Sequence, residues 1–232
     1  MNPAFLDIGA NLGTDAILAA LLMRQFGKRI PIAAFEPGVL RDLLPYTLKL
    51  NGLQDEVKAE SVAVSGDNRP TVMFGERGNS VNARLVNRDA ATESICHLVD
   101  CVTVDTYVTQ AGLQNHSLVM KIDTQGAEWL IWQGLRPVAN RQPVSMLMEF
   151  APYPLKSSVD PVVFLRELSE HFHLVDVGVN RDLACVVTAE TAAAAVEAIK
   201  GREQPWTDFV CIGRSVRGAD DLLNRVCSRV KN

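Results

Sequence analysis

The stretch Phe5-Leu6-Asp7-Ile8-Gly9-Ala10-Asn11-Leu12-Gly13 decides the fold. Ala4 to Ile8 is an apolar run of strand length, and Gly9 to Gly13 supply a turn. Asp15 to Gln25 follow as a helix, with Ile17, Leu18, Leu21 and Leu22 at helical spacing and Gly27 where a left-handed cap would fall. The alternation then repeats. Ile30 to Phe35 reads as a second strand closed by Glu36-Pro37, and Val39, Leu40, Leu43, Leu44 and Leu48 mark a second helix that stops at Asn51-Gly52. Pro45 inside that helix should kink or split it, because proline removes a backbone donor. Strand, helix, strand, helix predicts a parallel sheet with helices on its faces.

Working outward, Val57 to Ser65 reads as a strand, Gly66 to Pro70 as a turn, and Thr71 to Phe74 as a short strand returning antiparallel. Glu76 to Thr92 is polar, with Gly75 and Gly78 at its start, and reads as a loop or lid that includes Asn79-Ser80. Val99 to Val104 is expected as a strand with a brief helix from Asp105, Leu118 to Ile122 as a buried strand, and Thr124 to Gly134 as a helix. Val144 to Phe150 (strand), Pro161 to His171 (helix), Phe172 to Val179 (strand), Thr188 to Lys200 (helix) and Phe209 to Ile212 (strand) complete the alternation. Past Arg214, Leu222, Leu223, Val226, Cys227 and Val230 keep helical spacing among basic residues, which predicts an amphipathic helix over 214–232 packed on or appended to a single domain of residues 1–213.

Composition narrows the function. The 232 residues carry 23 Lys and Arg against 27 Asp and Glu, a net charge of −4, which excludes a general polyanion-binding design. No apolar run approaches the ~20 residues of a membrane span, and the start of the chain lacks the pattern of a signal peptide, so the expectation is a cytoplasmic protein. Five cysteines without a C-x-x-C suggest buried or idle thiols. His171 and His173 would share a strand face but have no third ligand in view, and there is no Gly-x-Ser-x-Gly elbow. Trp129 and Trp132, three apart, read as core residues.

The chemistry sits at strand ends. A strand that ends in Asp7 and turns through Gly9, Asn11 and Gly13 brings backbone N–H groups and a carboxylate to the carboxyl edge of the sheet, where ligands of this architecture bind. A pyrophosphate turn needs G-x-G-x-x-G. Only Gly9 and Gly13 are present, and the Asp7 carboxylate repels phosphate and suits an ammonium or sulfonium, so a nicotinamide dinucleotide is disfavoured. Glu36, 23 positions after Gly13, stands where an acid can accept both hydroxyls of a ribose. Together these residues describe a nucleoside site without phosphates, which S-adenosylmethionine fits. Asp123 and Glu149 close two further strands and Glu128 begins a helix, so their carboxylates can converge and raise one another's pKa. A base or positioning role is expected without a metal, although the same oxygens suit Mg²⁺ or Ca²⁺ and also serve as helix caps, and Lys121 with Asp123 makes an internal ion pair possible.

These segments, with Val62-Ala63-Val64-Ser65 and Lys121-Ile122-Asp123-Thr124-Gln125-Gly126-Ala127-Glu128, resemble the successive motifs of the FkbM-type S-adenosylmethionine-dependent methyltransferases from residue 5 to about residue 150. The resemblance implies an α/β, Rossmann-like class I methyltransferase fold, doubly wound, with a mostly parallel sheet and an antiparallel last strand. It implies O-methylation of a hydroxyl on a sugar, glycan or secondary metabolite. By the same resemblance Asp7, Gly9, Asn11 and Gly13 border the methionine moiety, Glu36 the ribose and Ser65 the adenine side, while Asp123, Glu128 and Glu149 face the acceptor. The chain departs from the family twice. Members commonly carry a segment ahead of the glycine motif that helps close the pocket, here expected to be absent or supplied by a partner or second copy. Gln125 stands where Glu is common. A non-catalytic cofactor-binding module or a partner-dependent subunit is the alternative reading.

Overall fold

The computed structural model describes residues 1–76, 79–86, 95–156, 158–178 and 185–230, with backbone alone for 71–76, 79–86, 95–97, 185 and 229–230. The chain opens with β1 (Asn2–Ile8), α1 (Thr14–Gln25), β2 (Ile32–Phe35), α2 (Leu43–Leu50) and β3 (Val57–Glu60). A lateral excursion follows through β4 (Ala63–Val64), β5 (Thr71–Glu76), β6 (Asn79–Val86), β7 (Ile95–Val99) and β8 (Cys101–Val102), and α3 (Val104–Gln110) returns the chain to β9 (His116–Ile122). Then come α4 (Glu128–Ala139), β10 (Val144–Phe150), α5 (Pro152–Leu155), α6 (Pro161–His171), β11 (Phe172–Asp176), β12 (Cys185–Val187), α7 (Ala192–Lys200), β13 (Thr207–Gly213) and α8 (Ala219–Val230).

Eight strands form one sheet in the order β12-β11-β13-β10-β9-β1-β2-β3. From β10 to β3 all neighbours are parallel, while β13, the last strand of the chain, runs antiparallel between β10 and β11. The edge strand β12 is antiparallel to β11. This is the expected doubly wound sheet. Winding runs outward from β1 to β3 and resumes on the other side at β9, so the switch point lies between the carboxyl ends of β1 and β9. β4 and β8 form a separate parallel pair, and β5 lies between β6 and β7 in a three-stranded antiparallel sheet.

Two hydrophobic layers hold the sheet. On one face Leu6, Ile8, Met120, Ile122, Met146, Met148, Phe150 and Phe209 pack with Val108 of α3, Trp132 and Leu135 of α4, Phe164 and Leu168 of α6 and Val196 of α7. On the other, Ala16 and Ala20 of α1 and Leu44 and Leu48 of α2 cover Ile32, Ala34 and Val57. Strands buried on both faces read as continuous apolar runs, but β9 and β10 alternate: Leu118, Met120, Met146 and Met148 are buried while Val119 is 44% and Leu147 39% exposed. The second layer stops short of them, since α1 packs on β1 to β3 and α8 on β11 and β13. Among the described residues no helix is long and apolar enough to cross a membrane.

Several expectations need correction. Pro45 neither kinks nor splits a helix, because α2 begins at Leu43 and places the proline in the first turn, where an N–H has no intrahelical partner anyway. The run Val57 to Ser65 breaks after Glu60, and its end belongs to the β4–β8 pair. Asn79-Ser80 lie in strand β6 rather than in a loop, while positions 77–78 and 87–92 of the expected lid lie outside the described residues. The helix expected from Thr124 starts at Glu128, since Gln125 and Gly126 have positive φ of 57° and 108°. β11 ends at Asp176, and Val179 lies outside the described residues. His171 closes α6, with its ring 5.0 Å from that of Trp132, while His173 faces Asp220 of α8 at 3.6 Å, so the two do not form a pair.

Gly9 has φ 81°, and a Cβ there would be driven into the backbone carbonyl oxygen of Asp123. Gly9→Ala should therefore destabilise the protein by about 3 kcal/mol or more. Gly27→Ala, at φ 62° with open space around it, should cost only ~1 kcal/mol. Urea unfolding of the two variants checks the contrast.

Candidate active site

The bend after β1 is tied to β2 by two hydrogen bonds, Gly9 N–H and Ala10 N–H both donating to the Phe35 carbonyl at 3.1 and 2.9 Å. Asn11 at φ 54° and Gly13 at φ 86° fold the chain back before α1 begins. Asparagine and glycine are the residues that tolerate this conformation. The fold-back aims Asn11 N–H at Glu36, whose Oε2 accepts at 3.0 Å, while Oε1 accepts from Gly38 N–H at 2.7 Å. Glu36 thus faces the bend, 9% exposed, and each of its oxygens keeps a lone-pair direction for a further donor. Burial pushes its pKa up, against the pull of the Gly38 and Asn11 N–H groups.

Asp7 is fully buried. Its Oδ2 accepts from Ala16 N–H at 3.0 Å in the first turn of α1, whereas Oδ1 has no partner among the described residues. Burial pushes the carboxyl up to about 6, Lys121 opposing and Asp15 and Asp123 adding. A buried acceptor left unpaired costs free energy that a ligand donor can recover. The orphan Oδ1 and the unused lone pairs of Glu36 leave acceptors open on both sides of the bend. Ser65 stands apart. Its N–H donates to Val102 of β8 at 3.0 Å and its carbonyl lies against Gly134 of α4, so its described contacts are with those elements and not with the bend.

Across the switch point, Asp123 N–H donates to the Ile8 carbonyl at 3.1 Å. The Asp123 carboxylate receives Lys121 Nζ at 3.1 Å, and the same ammonium lies 3.4 Å from Asp15 at the start of α1. Burial would lower the Lys121 pKa, but Asp123, Asp7 and Asp15 outweigh it and hold it above the usual lysine value. The ion pair expected as an alternative use of Asp123 therefore exists. Glu149 at the end of β10 joins through Gln125, whose Nε2 donates to Asp123 Oδ1 at 3.2 Å and Glu149 Oε2 at 3.0 Å. Burial, then the charges of Asp123 and Glu128, push the Glu149 carboxyl up to about 8. Asp208, opposite Glu149 in the β10–β13 register, is raised by burial and by Asp123.

Glu128 is placed differently. It is 2% exposed, and its Oε1 accepts from Thr124 N–H and Oγ1 and from Gly126 N–H at 2.9 to 3.2 Å, so it holds the loop from beneath. Its Oε2 has no partner among the described residues, and burial raises its pKa. Reading the sequence missed Asp15, Asp208 and the bridging role of Gln125. Asp208 carried a signal in its place just ahead of the apolar start of the last strand, but its pairing with Glu149 comes from antiparallel register. Among the described residues no three of His, Cys, Asp and Glu are arranged to hold a metal ion. A cleft of about 450 Å³ lined by Leu6, Ala33, Val57, Lys58 and Tyr107 opens instead at the amino ends of β2 and β3, away from the bend.

Because the Asp7 pKa is raised on folding, the native state binds its proton more tightly than the unfolded chain. Stability should fall as pH rises from about 4 through about 6, and Asp7→Asn should abolish that component, on the order of 2–3 kcal/mol. Urea unfolding of both proteins across this range measures it.

No family model matches the chain, and no curated protein matches it. Similar solved structures include methyltransferase FkbM from Methylobacillus flagellatus KT, with 14% identity, a TM-score of 0.46, and coverage of 75% of this chain and 40% of that one. An uncharacterised protein from Listeria monocytogenes serotype 4b is similar at 9% identity and a TM-score of 0.40 over 93% of this chain and 63% of its own. The StiE O-methyltransferase, residues 961–1257, is similar at 13% identity and a TM-score of 0.42 over 98% of this chain and 74% of its own. The chain thus spans less than two thirds of the first two proteins.

Proposed function

We propose that the chain is an S-adenosylmethionine-dependent methyltransferase that methylates a hydroxyl of a small molecule, either a sugar, a glycan or a secondary metabolite. Residues 1–213 would act as one catalytic unit, with the terminal helix carried on it. The observation that supports this most is Glu36 held against the bend at Asn11, with the orphan oxygen of Asp7 buried beside the same turn. In this reading Glu36 accepts the ribose hydroxyls, and the bend from Gly9 to Gly13 borders the methionine moiety. Asp7 supplies negative charge toward the ammonium and sulfonium, and Ser65 would serve the adenine side. Bound there, the cofactor supplies an electrophilic methyl group.

The chain's own task is then to align the acceptor oxygen and take its proton. Glu149, when ionised, would accept that proton as the acceptor oxygen takes up the methyl group that the cofactor would supply. Asp123, fixed by Lys121, orients the acceptor, and Glu128 shapes the loop beneath. Calorimetry with the demethylated cofactor tests the binding half: Glu36→Ala should weaken binding at least tenfold, since hydrogen bonds to a charged group are worth about 1.5–3 kcal/mol. No heat with either cofactor form would sink the proposal. Binding without transfer to any of a panel of sugars, polyols and phenols would leave a binding module.

Transfer should depend on pH in a definite direction. Glu149 must lose its proton to act, so the rate should rise through about pH 8, and Glu149→Gln should be slower by ~10²–10⁴-fold without that rise.

A further inference from the structure

Gln125 does more than occupy a position where an acid is common. Its backbone lies at φ 57°, a conformation costing a non-glycine residue ~1 kcal/mol, and Gly126 follows at φ 108° against Pro154 of α5. This corner turns the amide into the gap between two strand ends. Both oxygens near it, Asp123 Oδ1 and Glu149 Oε2, belong to carboxylates, so the NH₂ end must face them and each receives one of its two hydrogens. Asp123 Oδ2 meanwhile takes the Lys121 ammonium. Asp123 is therefore supplied with donors on both oxygens, and Glu149 on Oε2.

We propose that Gln125 is a positioning residue: its amide pins Asp123 and Glu149 into one unit that shares a single exchangeable proton. The purpose of this clamp rests on the methyltransferase reading, because Glu149, which when protonated donates to Asp123, is where an acceptor proton would arrive. The hydrogen bonds themselves do not depend on it. The charges facing Glu149 are Asp123, Glu128 and Asp208, with Lys121, Asp15 and Asp176 beyond them around Asp208. Five of these six are acidic, and the Gln125 amide is the neutral donor set between two of them. An apolar side chain of equal length would remove it, and a carboxylate would replace it with one more acid.

The test is a pH titration of the ¹³C-labelled glutamate carboxyls by NMR, on the full chain without acceptor. The Glu149 resonance is identified by its loss in Glu149→Gln. Gln125→Met should move the Glu149 midpoint upward by about one pH unit, the worth of one hydrogen bond to a charged group. Gln125→Glu should also move it upward and add a second titrating carboxyl to the unit. Asparagine tolerates the left-handed backbone and falls one methylene short of bridging, so Gln125→Asn should shift the midpoint in the same direction while keeping the fold. An unchanged midpoint in a folded Gln125→Met or Gln125→Asn variant overturns the clamp. Failure of the clamp is distinct from failure of the methyltransferase reading: a chain that transfers methyl groups with a Glu149 midpoint indifferent to position 125 loses only the clamp. A chain that shows the shift but never binds the sulfonium cofactor loses only the enzymatic reading.

Discussion

The structure depends on one backbone contact, the meeting of Gly9 with the carbonyl of Asp123 at the point where the sheet reverses its winding. A side chain at this point of the bend would strike the Asp123 carbonyl, so the turn after β1 can meet the end of β9 this closely only at a glycine. Once they do, the bend that faces Glu36 and the loop that carries Asp123 and Gln125 share a common backbone seam. Asp123 N–H on the Ile8 carbonyl and the two N–H groups of the bend on Phe35 extend that seam across three strands. The two halves of the site are thus built from a continuous hydrogen-bonded edge, which is a more exact support than loops standing free of the sheet.

Around this seam the protein gathers acids and few cations. Asp7, Glu36, Glu128 and Glu149 are all buried enough for their pKa values to rise, and Lys121 is the ammonium that reaches Asp15 and Asp123. Burying carboxylates without matched partners works against folding. That cost is tolerated at sites whose charge balance a ligand completes, and functional sites are where perturbed acids concentrate. Elsewhere the chain pairs its charges conventionally, as with Asp176, which accepts from Arg202 at 2.6 Å and from Gly178 N–H at 3.0 Å.

Much of this was legible from residue order. The helix expected over Pro161 to His171 forms as α6, where Asp160 caps the first turn, its Oδ1 accepting from Val162 N–H at 2.8 Å, and Pro161 takes the first helical position. Asp7, Glu36, Asp123 and Glu149 could be nominated because parallel strands bring their last residues to one edge. Glu128 was nominated as the start of the helix after Asp123, but its position beneath the loop accompanies the positive φ of Gln125, which no local pattern announces. Pro45 misled because a proline early in a helix and one in its middle look alike until the start is known. Asp208 and Gln125 were invisible as partners because their contacts cross between strands distant in sequence. Val119 and Leu147 are as apolar as their buried neighbours, so residue order did not announce that β9 and β10 are covered on one face.

That one-sided cover leaves the two faces of the central strands unequally shielded. The middle strands find apolar partners on the side of α4 and α6, whereas Val119 and Leu147 face outward between the territories of α1 and α8. The centre of the sheet is accordingly sealed on the α4 and α6 side and keeps apolar surface on the other, where Val119 is 44% and Leu147 39% exposed.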